Sequence, residues 1–344
     1  MADPKNRTRS DFAWAKWSDA KLLDVRLCDL GLTLEESRVA DHIDKVRAEL
    51  RARDLRMRPH FWIGEEWFSP EGIPGVAVPF HLVHSRLTRL ERKHMLQVEG
   101  GTRAECLKLL RHEVGHAVQH AYELHRRPRW RQHFGRSSRA YPEHYRPNPA
   151  SRRFVLHLDY WYAQAHPDED FAETFAVWLT PRSGWRQRYA GWPALRKLEY
   201  VDELMRSLAG RTPKIRSRQR IEPVDRLRRT LREHYAEKRD RFTLTSNIYD
   251  GDLLRIFSDA SDRSGISAAR FLRENRVKLR QMVARGTGKH EYALDIVLRD
   301  MLLRCKELGL RAVGPVEELR TDLAILMAAR SVEYVYRGRE WHAL

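Results

Sequence analysis

Apolar residues recur at helical spacing along most of this chain, with one stretch of a different period near the start. Val39, Ile43, Val46 and Leu50 make a one-sided stripe, and Thr33 with Glu36 three residues later predicts a capping box that opens the helix. Residues 61–68 and 76–84 read instead as strands flanking a Pro70-Glu71-Gly72 turn, a break that Pro74-Gly75 reinforces. A second capping box, Thr102 with Glu105, opens a helix in which Leu107, Leu110, Val114, Ala117, Val118 and Ala121 keep the period until Pro128 stops it. Pro167 at a first helical position, followed by Asp168, Glu169 and Asp170, announces another helix, with Phe171, Phe175, Trp178 and Leu179 on its apolar side. Residues 193–209 add a helical close.

Beyond Gly210 the composition changes. Arg211, Lys214, Arg216, Arg218 and Arg220 follow with no acid between them, which reads as a linker. Pro223 starts a helix, and residues 253–257, 268–283, 293–308 and 319–336 favour helices with Gly286, Gly288 and Gly314 as breaks. The expected fold is therefore α+β: a lobe over residues 1–210 with a small sheet and the two helices described above, then a mainly α-helical domain over 211–344 that carries no chemical motif. At 344 residues and 42% hydrophobic content the chain can bury a core of that size. No apolar run is long enough to span a membrane, and Met1 to Ser10 lack a signal-peptide core. Cys28, Cys106 and Cys305 are scattered and odd in number, which argues against a disulfide framework and for a reducing, cytoplasmic setting.

The candidate chemistry lies in His112-Glu113-Val114-Gly115-His116. Four residues make about one helical turn, so both imidazoles share a face and can grip one zinc ion, while Glu113 is rotated towards the open coordination position. A catalytic zinc needs a third protein ligand. His120 lies on the same face but about 12 Å along the axis from His112, too far to share the ion. Gln119 and Tyr122 stand where a helix continuing to a glycine turn and third histidine would need other residues. The ligand must come from elsewhere, and the helix after His166 offers Glu169 and Glu173 on one face, enough for one ligand and one supporting acid. Asp168 and Asp170 suit the helix dipole instead.

On these residues the chain resembles a bacterial family of zinc-binding metallopeptidases, within the wider gluzincin group of two histidines and a glutamate. The resemblance runs over residues 22–208, through Trp67-Phe68-Ser69-Pro70, the stretch from Arg111 to His116, Tyr162-Ala163-Gln164, residues 166–179 and Trp192-Pro193-Ala194-Leu195. It implies a zincin-like lobe, a zinc cofactor and a peptide or protein substrate. It further implies that Glu169, the first acid of the Glu-x-x-x-Glu helix, is the ligand and that Glu173 hydrogen-bonds a ligating histidine. A tyrosine seven residues before the ligand, here Tyr162, is implied to stabilise the oxyanion. From spacing alone, Tyr160, His157 and His166 compete for that electrophilic role. Some relatives carry an N-terminal zinc ribbon, but here Cys28 stands alone. The implied chemistry has Glu113 take the proton of an attacking water and deliver it to the leaving amine.

Net charge opens a second possibility. The formal charge is +17, and Arg126, Arg127, Arg129, Arg131, Arg136, Arg139, Arg146, Arg152 and Arg153 meet only one acid, Glu143, between the two site helices. Interleaved Trp130, Phe134, Tyr141 and Tyr145 would suit an anionic peptide, an acidic protein surface or a nucleic acid, and equally a solvated basic loop that packs its aromatics inward. Two function classes follow: a zinc peptidase, which the three motif elements favour, and a basic binding protein whose metal site is structural or vestigial.

Overall fold

The computed structural model describes residues 12–95, 98–142, 145, 148, 150–240, 250–259 and 265–336, without the side chains of 160, 240 and 332–336. Met1 to Ser10, Glu143 and Arg146 of the sequence reading lie outside these residues, as does the Tyr160 side chain. The protein is mostly helical, with a small sheet and a helical C-terminal region. Among the described residues no helix is long and apolar enough to cross a membrane.

The chain forms two compact units, Met1–Lys93 with Val98–His234 and His94–Gln97 with Tyr235–Leu344. The expected division after Gly210 differs from this. Lys214 and Ile215 both donate backbone N–H groups to the Ala121 carbonyl (2.9 and 3.0 Å), and the Trp62 indole donates to the Ile221 carbonyl (2.9 Å). The arginine-rich stretch is thus strapped to the first unit. Backbone partners of this kind leave no mark in composition.

The sheet of the first unit pairs β1 (His60–Gly64) with β2 (Gly75–Pro79) in parallel, from His60↔Gly75 to Gly64↔Pro79. The Pro70–Gly72 turn does not join these two strands. It joins Phe68 to β2, whose Ala77 N–H donates to the Phe68 carbonyl (2.8 Å), and β1 lies on the opposite edge of β2. The second strand also ends earlier than the expected 84. Residues Phe80–Val83 form a helical turn and Ser85–Met95 a helix, a switch that follows Pro79. The helix expected from Thr33 runs from Ala40 to Ala52 without that capping box; Ser37 instead donates to the Leu34 carbonyl (2.6 Å), while Ile43, Val46 and Leu50 are buried as the stripe requires.

Two helices position the candidate site. The histidine helix, Arg103–Tyr122, begins with a reciprocal capping box: Glu105 N–H donates to Thr102 Oγ1 (3.2 Å) and Thr102 N–H to Glu105 Oε2 (3.1 Å). Every residue from Leu109 to Tyr122 is buried, so the element is central to the unit. It ends at Glu123, which adopts the left-handed conformation (φ 51°), and Pro128 opens a separate helix, Pro128–Phe134, where the sequence reading had it stop this one. Arg111 makes a buried fork with Glu49 (2.8 and 2.8 Å), fastening the histidine helix to Ala40–Ala52 one residue before His112.

The glutamate helix, Pro167–Leu179, has His166 as its N-cap, with Asp168 N–H donating to His166 Nδ1 (3.2 Å). On one side Phe171 packs against Trp130 and Phe134, with ring centroids 5.8 and 5.4 Å away. At the far end the Trp178 indole donates to Asp202 (2.9 Å) on the closing helix, Ala194–Leu208. Its other side crosses the histidine helix at Gly115 and Ala172. A Cβ on Gly115 would stand 2.9 Å from Ala172 Cα and 3.1 Å from its carbonyl oxygen, and neither backbone atom can swing aside.

The second unit collects Asp250–Ile256, Ala268–Thr287, Glu291–Glu307 and Val316–Tyr336 around Leu272, Leu279, Leu298, Met301, Leu323 and Met327. Gly286 lies within a helix, and Gly288 (φ 75°) ends it. A two-residue antiparallel pairing, Ile266–Ser267 with Arg311–Ala312, closes the unit.

The crossing yields a test. Gly115→Val gains helix propensity but must push two backbones apart, an overpacking cost of about 1–3 kcal/mol. Its thermal midpoint should fall by roughly 2–10 °C. A midpoint equal to or above that of the wild type in calorimetry would contradict the crossing.

Candidate metal centre

His112 and His116 project from one face of the histidine helix, and Glu169 reaches them from the first turn of the glutamate helix. His112 Nε2 lies 3.0 Å from Glu169 Oε2, His116 Nε2 lies 3.2 Å from the same oxygen, and the two ring nitrogens are 3.2 Å apart. Among the described residues this is the one group of His, Cys, Asp or Glu side chains that could hold a metal ion. Donors bound tetrahedrally at zinc distances stand about 3.3–3.4 Å apart, so the triangle needs only slight expansion. Two nitrogens and one oxygen are also a donor set that zinc accepts. The residues therefore fit the ion.

The supporting atoms are as definite as the donors. Glu173, one turn after Glu169, accepts a hydrogen bond from His112 Nδ1 (2.8 Å), which turns Nε2 with its lone pair towards the site. Its other oxygen accepts from the Leu158 backbone N–H (2.8 Å). Gln119, one turn past His116, donates to Asp168 Oδ1 (2.8 Å), and Ser137 donates to Asp168 Oδ2 (2.8 Å). Asp168 thus ties the helices together besides standing at a helix N-terminus. Asp170 pairs with Lys197, and burial pushes its carboxyl up to about 7.

Glu113 is buried beside the triangle and, among the described residues, makes no hydrogen bond or ion pair. Burial raises its pKa, the nearby His112 and His116 oppose the rise, and Glu169 adds to it. Tyr162 lies in a short 3-10 helix, Asp159–Gln164, just after Trp161, which is held at φ 55°. Its ring centroid is 5.6 Å from that of His112, and among the described residues its hydroxyl makes no hydrogen bond. Burial, then Glu169 and Glu113, holds that hydroxyl well above the ordinary range, so it stays a donor. The competing histidines are engaged elsewhere: His157 Nε2 meets the Lys108 carbonyl (3.0 Å), and His166 caps the glutamate helix. His120 lies outside the triangle, its pKa pushed down by burial to about 3, which leaves it neutral. Cys28 contacts Asp29 (3.5 Å) and is not among the converging donors.

Electrostatics point the same way. Burial opposes protonation of both imidazoles of the triangle, yet Glu169, joined at His112 by Glu173, outweighs it and raises both pKa values. Glu169 is driven far below the ordinary carboxylate range, because the two histidines overcome its burial. The buried carboxylates of Glu169 and Glu173 thus favour positive charge at the imidazoles, the sign of charge that a divalent cation would bring.

Sequence reading missed Tyr141 as a site residue. Its hydroxyl donates to Glu169 Oε1 (3.0 Å), and its ring stacks on His166 with centroids 3.8 Å apart. The residue was visible only as an aromatic among arginines, in a segment with no period to orient it.

Residues 91–185, a span that holds both site helices, match the model of a family described as "putative zinc-binding metallo-peptidase". No curated protein and no solved structure matches the chain.

Removing the Glu173 carboxylate would strand two donors, the buried His112 Nδ1–H and the part-buried Leu158 N–H. Glu173→Ala should cost about 2–6 kcal/mol in urea unfolding, counting roughly 1–3 for each donor left without its acceptor. A loss below about 0.5 kcal/mol would show that these bonds do not form.

Proposed function

We infer that the chain is a zinc-dependent metallopeptidase of the gluzincin type, built on a zincin-like lobe and acting on peptides or proteins. The observation that carries this reading is the convergence of His112, His116 and Glu169 on one point, beside an unpartnered buried Glu113. The family match over 91–185 supports the same class.

Zinc, when bound, lowers the pKa of a water molecule and polarises the scissile carbonyl. The chain's own residues do the rest. His112, His116 and Glu169 hold the ion, and Glu173 keeps the His112 tautomer fixed. Glu113 accepts the proton of the attacking water and later passes it to the leaving amine. Its freedom from other hydrogen bonds leaves both oxygens available for that transfer. The Tyr162 hydroxyl, likewise unengaged, donates to the carbonyl oxygen as negative charge develops there. The remaining residues supply scaffold, with the C-terminal helical region as a separate domain. A reducing, cytoplasmic setting agrees with the free state of Cys28, Cys106 and Cys305.

Purified protein should carry one zinc per chain. Glu113→Gln should keep that zinc and lose peptide hydrolysis by about 10²–10⁴-fold, whereas His112→Ala, His116→Ala and Glu169→Ala should lose the metal itself. Elemental analysis beside a peptide-library digest reads both. Full zinc occupancy in Glu169→Ala would refute that ligand, and undiminished cleavage by Glu113→Gln would refute the base.

A second reading, a basic surface that binds an acidic protein or a nucleic acid, draws on one observation. A groove of about 280 Å³ in the first unit is lined by Arg56, Arg58, Arg216 and Arg218 with His60 and holds no acid. A polyanion seated there would lose affinity steeply as salt rises. Binding indifferent to salt, or unchanged in Arg216→Ala/Arg218→Ala, would remove this reading.

A further inference from the structure

We propose that Tyr141 is a positioning residue that keeps Glu169 a one-oxygen ligand and so holds the fourth coordination position open. The proposal rests on the zinc reading above. A carboxylate can bind a cation through one oxygen or both, and a catalytic site keeps a position free for water. Here Oε2 of Glu169 faces the two histidines, while Oε1 accepts the Tyr141 hydroxyl at 3.0 Å. An oxygen occupied in this way is turned from the ion, and the carboxylate plane is fixed.

Tyr141 does not arrive there by chance of rotamer. Three alternate residues of one segment are tied to the start of the glutamate helix: Ser137 donates to Asp168, the Arg139 carbonyl accepts from His166 Nε2 (2.7 Å), and Tyr141 donates to Glu169. The segment turns at residues 137–139, where the Arg139 N–H donates to the Arg136 carbonyl (3.1 Å), and these three ties fix its course past the start of the glutamate helix. His166 closes the circuit. Its Nδ1 accepts the Asp168 N–H as helix cap, which leaves the proton on Nε2 for the Arg139 carbonyl, and its face carries the Tyr141 ring at 3.8 Å with an 18° tilt. Tyr162, by contrast, keeps its hydroxyl free. The two tyrosines near Glu169 thereby separate into one that orients a ligand and one left for the substrate.

The test uses Tyr141→Phe in the full chain, which keeps the stacked ring and deletes the hydroxyl. Tyr141 is 43% exposed, so the core is left intact. Zinc affinity, read by competition with a chromogenic chelator, should weaken about tenfold. In cobalt-loaded protein the visible bands should lose intensity, as they do when a four-coordinate ion gains a fifth donor. Tyr141→Ala, which also removes the ring, should do no less. Wild-type affinity within twofold together with an unchanged cobalt spectrum in Tyr141→Phe would overturn the proposal, and so would a change confined to Tyr141→Ala, since that would mark the ring as mere packing. If the wild type takes up no stoichiometric zinc, the zinc reading falls and this proposal with it; if the wild type binds zinc and the Phe variant matches it, this proposal alone fails.

Discussion

The approach of two backbones at Gly115 and Ala172 sets the geometry on which the rest of the site depends. His112 and His116 ride on one helix and Glu169 on the other, so the distance between donors is the distance between helix axes less the reach of the side chains. Glycine at the contact allows an approach that any Cβ would prevent. The cores on either side hold the crossing closed: Trp130 and Phe134 behind Phe171, and the Arg111–Glu49 fork behind the histidine helix. Burying that fork costs solvation that its bidentate hydrogen bonds offset, and it gives the helix a single rotational setting.

Around the triangle, polar groups are joined in pairs that run between elements rather than within them. Glu173 links His112 to Leu158, Asp168 links Gln119 to Ser137, and Tyr141 links Glu169 to the ring of His166. Each link spends its hydrogen-bonding capacity on orienting another residue. Glu113 and Tyr162 stand apart because, among the described residues, their side chains make no hydrogen bond, and that contrast is what assigns them the chemical roles in the proposed mechanism.

Much of the site was legible in the sequence because it sits on regular elements. The Thr102–Glu105 box and the helical period placed both histidines on one face, and Pro167 with its acids placed Glu169 and Glu173 one turn apart on the next helix. Irregular segments gave no such purchase. Tyr141 and Ser137 reach the site through a path between the helices that no periodicity describes, and Gln119 read only as a missing ligand. The parallel pairing of β1 and β2 depends on Phe68 occupying the other edge of β2, a tertiary fact that the Pro70–Gly72 turn suggested wrongly. Thr33 and Glu36 had capping chemistry without a helix to cap, since a four-residue pattern specifies little when Ser37 offers a competing turn. The arginines after Gly210 looked like a linker because charge reports solvent exposure, whereas the strap is held by its backbone.

The stretch from His112 to His116 has no idle position. Its ends face the candidate metal centre, Glu113 makes no hydrogen bond among the described residues, Val114 is fully enclosed by the core, and Gly115 admits the neighbouring backbone. Five consecutive residues therefore answer to different demands in different directions, and none can drift to accommodate change at another. A lineage that abandoned the proposed metal centre would be expected to scatter replacements across the block, while one that kept it would hold even the valine to near-isosteric exchange.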